Sequence, residues 1–144
     1  MLLDEAVAAE HLNAVGADRH PALAVGTGQA VLDYVIPYVN ERVAFGEPVS
    51  NRQAVAFAVA DIGVELEGMR LTTYRAAALA DRAKPFAAEA AVARHLCATK
   101  GMEIGSQGVQ LLGGHGFVKE HPVERWYRDL RSAEIGRASC RERV

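Results

Sequence analysis

Along much of the chain apolar positions return every three or four residues, the period of a helix that buries one face. Val55, Val59, Ile62, Leu66, Met69 and Thr73 form the clearest stripe, with alternating steps of four and three that suit packing at a shallow angle. Ser50-Asn51-Arg52-Gln53 stands just ahead of it with capping-box spacing, so a long helix is expected to start there. Upstream, Leu2 to Val15 reads as an Ala-rich helix that ends at Gly16 in a polar Gly-Ala-Asp-Arg-His-Pro connector. Pro21 then fits the first turn of a helix running to about Ala44, kinked where Pro37 removes a backbone donor, and ended by Gly46 and Pro48. Ala80 to Pro85 reads as a turn, Phe86 to Leu112 as another Ala-rich helix, and Gly113-Gly114-His115-Gly116 as its stop. Pro122 opens a last short helix through about Ile135, with Glu124 near the positive end of its dipole. No strand pattern of useful length appears. These elements predict an all-α, up-and-down antiparallel four-helix bundle over residues 22–135, preceded by a helical segment and connector over residues 1–21.

Composition sharpens this picture in a few places. Half of the residues are hydrophobic but only 6% are aromatic, so the core is expected to be built from Ala, Val and Leu. Gly101, Gly105 and Gly108 interrupt a helix at a cost of about 1 kcal/mol each relative to Ala; with Ala91 and Ala98 they are expected to let neighbouring helices approach closely. A net charge of -2 and a pI near 6.2 leave no basic stripe of the kind a nucleic-acid binder needs. No apolar run is expected to reach the roughly 20 residues of a membrane span, and the first residues lack the pattern of a signal peptide. The strong excess of Arg over Lys suits a GC-rich bacterial genome, and the expected location is the bacterial cytoplasm. Cys97 and Cys140 show neither metal-ligand spacing nor a disulfide framework. Residues 136–144 break the pattern of everything before them. Under one choice of codons they resemble a short-read sequencing adaptor translated in frame, so they are expected to be a non-native tail.

Two stretches carry candidate chemistry. In Arg42-x-x-Phe45-Gly46-x-Pro48 the planar, always charged guanidinium suits a diphosphate, Phe45 supplies an apolar surface beside it, and Gln53 follows with both a donor and an acceptor. In Gln110-Leu111-Leu112-Gly113-Gly114-His115-Gly116-Phe117 consecutive glycines permit positive φ and leave the backbone open to a ligand or another chain. Each stretch is equally compatible with an exposed Arg, a capping Gln and an ordinary helix stop. His95, His115 and His121 are acid–base candidates that most simply serve structure, and Cys97 fits a small core position.

Taken together with Glu120-His121-Pro122-Val123-Glu124-Arg125 and Arg128-Asp129, these motifs resemble the C-terminal helical domain of the acyl-CoA dehydrogenase family, in the family's order and approximate spacing. The resemblance covers about Ala22 to Ile135. It implies an FAD-dependent oxidoreductase that removes a proton alpha to an acyl-CoA thioester and passes hydride from the beta carbon to the flavin. Electrons would go on to an electron-transfer flavoprotein or another acceptor, and the full-length enzyme would be a homodimer or homotetramer. Carried over, Arg42 contacts the FAD diphosphate across a dimer interface, Phe45 lies near the cofactor and Gln53 contacts it. Gln110, Gly113 and Gly114 contact its adenine-side half, while Glu124, Arg125 and Asp129 form a solvated or ion-paired face. The family's catalytic Glu often follows the last short helix in a Tyr-Glu-Gly-Thr-like stretch, which this sequence lacks there. Other members carry it before the Arg42 motif, but counting back reaches Gly16, with Ala17 where a substrate-contacting Arg often stands. The catalytic base is therefore unassigned, and the chain alone is expected to be inactive. Two alternatives stay open: a related flavin monooxygenase or nitroalkane oxidase, and a helical interaction module without cofactor. A di-iron bundle is excluded because the chain contains no Glu-x-x-His.

Overall fold

A computed structural model describes the backbone of residues 20–141 and the side chains of residues 20–132. The expected helix from Leu2 to Val15, with most of its connector, lies outside the described residues. Four helices follow: α1 (His20–Glu41), α2 (Gln53–Asp81), α3 (Ala87–Leu112) and α4 (Val123–Arg141). Between α1 and α2 the short strands β1 (Val43–Ala44) and β2 (Glu47–Pro48) form an antiparallel hairpin, followed by a 3-10 turn at Val49–Asn51. A second 3-10 turn at Gly113–Phe117 joins α3 to the approach to α4.

The order of contacts fixes the topology. Gln29 on α1 accepts from Arg70 on α2, and Thr73 on α2 meets Cys97 on α3, while the earlier Glu65 pairs with the later Lys100. On the α4 side Gly101 and Gly105 face Leu130, whereas Gly108 faces Val123. Successive helices therefore run antiparallel, up and down. The helix α3 packs against the other three.

The sequence stripe is the core. Ile62, Leu66, Met69 and Thr73 are buried, and Val55 and Val59 pack partly buried against the same cluster of Val25, Val31, Val35, Val39, Ile104 and Leu112. Thr73 remains tolerable there because its hydroxyl donates to the Met69 carbonyl at 2.8 Å. The α3 glycines serve close approach, as expected. A Cβ on Gly108 would lie 2.5 Å from Val31 Cγ1, and one on Gly105 would lie 3.2 Å from the Tyr127 Cα. Ala98 is buried with them, but Ala91 is exposed and does not take part.

Four expectations are corrected. The first is the end of α1: it stops at Glu41 rather than Ala44, because Phe45 (φ 58) and Gly46 (φ 87) turn the chain back with two positive φ angles, the geometry of a tight type I′ hairpin. The capping box also fails, since Val49–Asn51 wind into the 3-10 turn and the cap of α2 is Arg52, with no side-chain bond. At the far end α4 continues to Arg141, beyond Ile135, over residues with adequate helix propensity. Finally, α1 is long and apolar enough to cross a bilayer by length and composition alone. Its buried residues Val25, Gly28, Val31, Val35 and Val39 line the bundle interior, while Gln29 and Asp33 hydrogen-bond to one another on its exposed edge. Its buried valines therefore face the other helices, while Leu23 and Ile36 remain exposed.

Candidate functional site

The end of α1, the hairpin, the start of α2 and the α3 elbow enclose a cleft of about 660 Å³, within the range of small-molecule and cofactor sites. Arg42 is fixed at its mouth through its own backbone. Its N–H donates to the Tyr38 carbonyl at 2.9 Å, extending the helical ladder, and its carbonyl accepts from the Val49 N–H at 2.9 Å. The exposed side chain is thus carried on a backbone held from both sides.

Beyond it, the hairpin tip puts Phe45 almost entirely in solvent, at 94% exposure. A non-glycine residue with positive φ is strained, and a phenyl ring left in water forgoes the burial that normally stabilises it. The Arg52 guanidinium lies 5.1 Å from the centre of that ring, a cation–π contact.

On the opposite wall α3 ends in Gln110, Leu111 and Leu112, and the chain turns at Gly113 with φ 60 and ψ -135, a conformation that favours glycine strongly. A Cβ at Gly113 or Gly114 would meet nothing within 4 Å, so the elbow presents bare backbone to open space. Gly116 does the reverse: a side chain there would collide with the Val109 carbonyl, so the elbow is seated on the last turns of α3.

Arg42, Phe45, Gln110, Gly113 and Gly114, separated by up to half the sequence, line this one cleft. Gln53 does not. It is exposed at the first position of α2 and its neighbours Arg52, Ala54 and Val55 face the cleft instead. Arg52 is the extended cap residue just ahead of the helix, and its side chain rather than that of Gln53 turns to the cleft.

Tyr38, Arg52, Gln107 and His115 also line the cleft, and sequence reasoning missed them as part of it. Arg52 was legible as a cation two positions into a capping pattern, and His115 stood inside the glycine motif; Tyr38 gave no local signal. Two arginines with no Asp or Glu among the lining residues make an electropositive trough over a floor of Ala, Val and Leu. That donor set fits an anion such as a diphosphate attached to a flat, largely apolar group.

The other candidates stay structural. Cys97 is buried, and desolvation pushes its thiol up to about 11 against a smaller opposing effect of the Thr73 hydroxyl, so it is neither a thiolate nor a nucleophile at neutral pH. Glu124 holds Arg128 through two bonds of 3.0 Å, and Arg125 and Asp129 are exposed, the ion-paired outer face that was expected. Among the described residues no group of three or more His, Cys, Asp or Glu could hold a metal ion.

The same chain pattern occurs in known proteins. The family model for the acyl-CoA dehydrogenase C-terminal domain matches residues 14–137. The short-chain specific acyl-CoA dehydrogenase of Bos taurus mitochondria is 47% identical over 112 residues, covering 78% of this chain and 27% of that protein. A subunit of the caffeyl-CoA reductase–Etf complex of Acetobacterium woodii is 41% identical over 107 residues, covering 74% of this chain and 28% of the relative. The structure of butyryl-CoA dehydrogenase from Megasphaera elsdenii superposes with a TM-score of 0.79 at 33% identity, covering 81% of this chain and 30% of that one. The chain thus spans between 27% and 30% of the length of these proteins.

Proposed function

Because this chain belongs to the acyl-CoA dehydrogenase family through its C-terminal domain, we propose that it is the helical part of a flavoenzyme that dehydrogenates an acyl-CoA thioester between its alpha and beta carbons. Its task is to hold FAD, which supplies the two-electron acceptor for that chemistry. Arg42 binds the diphosphate with its planar fork, Arg52 adds a second positive charge, and Phe45 covers the cofactor. Gln110 and the bare Gly113–Gly114 backbone take the adenine-side half. The observation that carries this reading is the convergence of Arg42 and the glycine elbow on one acid-free cleft. Gln53, exposed beside the cleft rather than in it, is the weakest member of the set, and its contact would require the approach of another subunit.

Among the described residues no carboxylate lines the cleft, and the base that abstracts the alpha proton stays unassigned. An electron-transfer flavoprotein as acceptor is supported by the relative named as part of an Etf complex. The exposed, strained Phe45 supports a homodimer or homotetramer in which the hairpin reaches a neighbouring subunit's cofactor. The bacterial cytoplasm is the location we assign.

The test is Arg42→Ala in a full-length enzyme carrying this domain, with FAD content read from the absorbance ratio after gel filtration. Hydrogen bonds to a charged group contribute about 1.5–3 kcal/mol, so the FAD dissociation constant should rise roughly 10- to 100-fold. Undiminished FAD retention would leave only a helical interaction module.

A further inference from the structure

The two walls of the cleft belong to segments about seventy residues apart, and one side chain joins them. Tyr38 Oη lies 2.8 Å from His115 Nδ1 on the elbow and 3.4 Å from the Leu112 carbonyl that ends α3. The backbone carbonyl of the same Tyr38 accepts the Arg42 N–H. One residue therefore touches both the support of the arginine and the support of the glycines.

A second rung reinforces it. Tyr34, one helical turn earlier on α1, lies 2.7 Å from His121 Nδ1 through its hydroxyl. The two imidazoles stack, with centroids 5.4 Å apart and planes at 20°. Tyr34 also packs edge-on against Trp126 of α4. Residues four apart on a helix lie on one face, so the two tyrosines present their hydroxyls side by side to the two histidines. The elbow needs such a clamp, because Gly113 and Gly114 have no side chains with which to pack and Gly113 adopts a positive φ.

Resting on the flavin-cleft reading, we propose that Tyr38 and His115 are positioning residues that set the distance between Arg42 and the Gly113–Gly114 backbone, so that both meet one cofactor. His121 and Tyr34 form an outer rung that does not line the cleft. The inner rung controls cofactor affinity, and the outer one serves stability.

Paired variants of the full-length enzyme separate these roles, with FAD titrated into the cofactor-free protein by flavin fluorescence and unfolding measured without FAD. Tyr38→Phe and Tyr34→Phe each remove one hydroxyl bonded to a histidine and should lower the unfolding midpoint alike. Tyr38→Phe should raise the FAD dissociation constant about three- to tenfold, and Tyr34→Phe should leave it within about twofold. His115→Leu should weaken FAD as Tyr38→Phe does, whereas His115→Asn, which keeps an amide near the Nδ1 position, should restore it. Equal effects of the two tyrosine variants on FAD, or no effect of either, would overturn the proposal while leaving the flavin reading intact. An Arg42→Ala enzyme that retains FAD normally would remove the flavin reading itself, and this proposal with it.

Discussion

Phe45 carries two unfavourable features at once, a left-handed backbone and an almost fully exposed ring. A non-glycine residue in that region costs about 1–3 kcal/mol, and the Arg52 guanidinium over the ring offsets part of it. Phe45→Gly removes the strain but adds unfolded-state freedom of about 0.5–1 kcal/mol. Chemical denaturation of this chain should therefore show no loss of stability, and a gain of up to about 2 kcal/mol. FAD retention by the full-length variant should fall severalfold. A large loss of stability with unchanged FAD retention would mean that Phe45 serves the fold and not the cofactor. At this scale the sequence shows which residue types suit a diphosphate but not which face they take. Gln53 is favoured in the sequence by its donor–acceptor amide and by the family resemblance, whereas the structure puts Arg52, and not Gln53, among the residues lining the cleft. Tyr38 and His115 could not be paired from sequence, since 77 positions separate them and Tyr38 stands in no motif.

Among the elements, the glycines of α2 and α3 invite opposite outcomes from one substitution. Gly63 lies within α2 with nothing inside 4 Å of an added Cβ, so Gly63→Ala should stabilise the chain by about 0.5–1 kcal/mol through helix propensity alone. Gly108→Ala would force a methyl to within 2.5 Å of Val31 Cγ1 and 3.3 Å of Val123 Cγ1, and overpacking of this kind costs about 1–3 kcal/mol. Urea denaturation of both variants checks the pair; a stabilised Gly108→Ala would show that α1 and α3 are not closely apposed there. The helices were legible because the apolar period survives over many turns, most clearly from Val55 to Thr73. The hairpin was not, because Val43 and Ala44 prolong the apolar character of α1 and its end is set by two backbone torsions. The glycines announced close packing, but their partners on α1 and α4 follow from the fold alone.

For the molecule as a whole, the folded chain builds one wall set of a site and leaves apolar side chains such as Phe57, Val64, Leu71 and Phe117 exposed beyond it. The up-and-down bundle was readable from punctuation and periodicity, whereas the cleft exists only because antiparallel packing brings the first and third helices to the same end. The account turns on Arg42 and the glycine elbow binding one shared ligand. A double-mutant cycle of Arg42→Ala and Gly114→Val on FAD dissociation from the full-length enzyme tests this most directly. Gly114 has open space and ordinary φ, so a side chain there should disturb a ligand rather than the fold. The account predicts that each variant weakens FAD and that the double variant is weaker than either; an Arg42→Ala or a Gly114→Val enzyme with unaltered FAD affinity would contradict it.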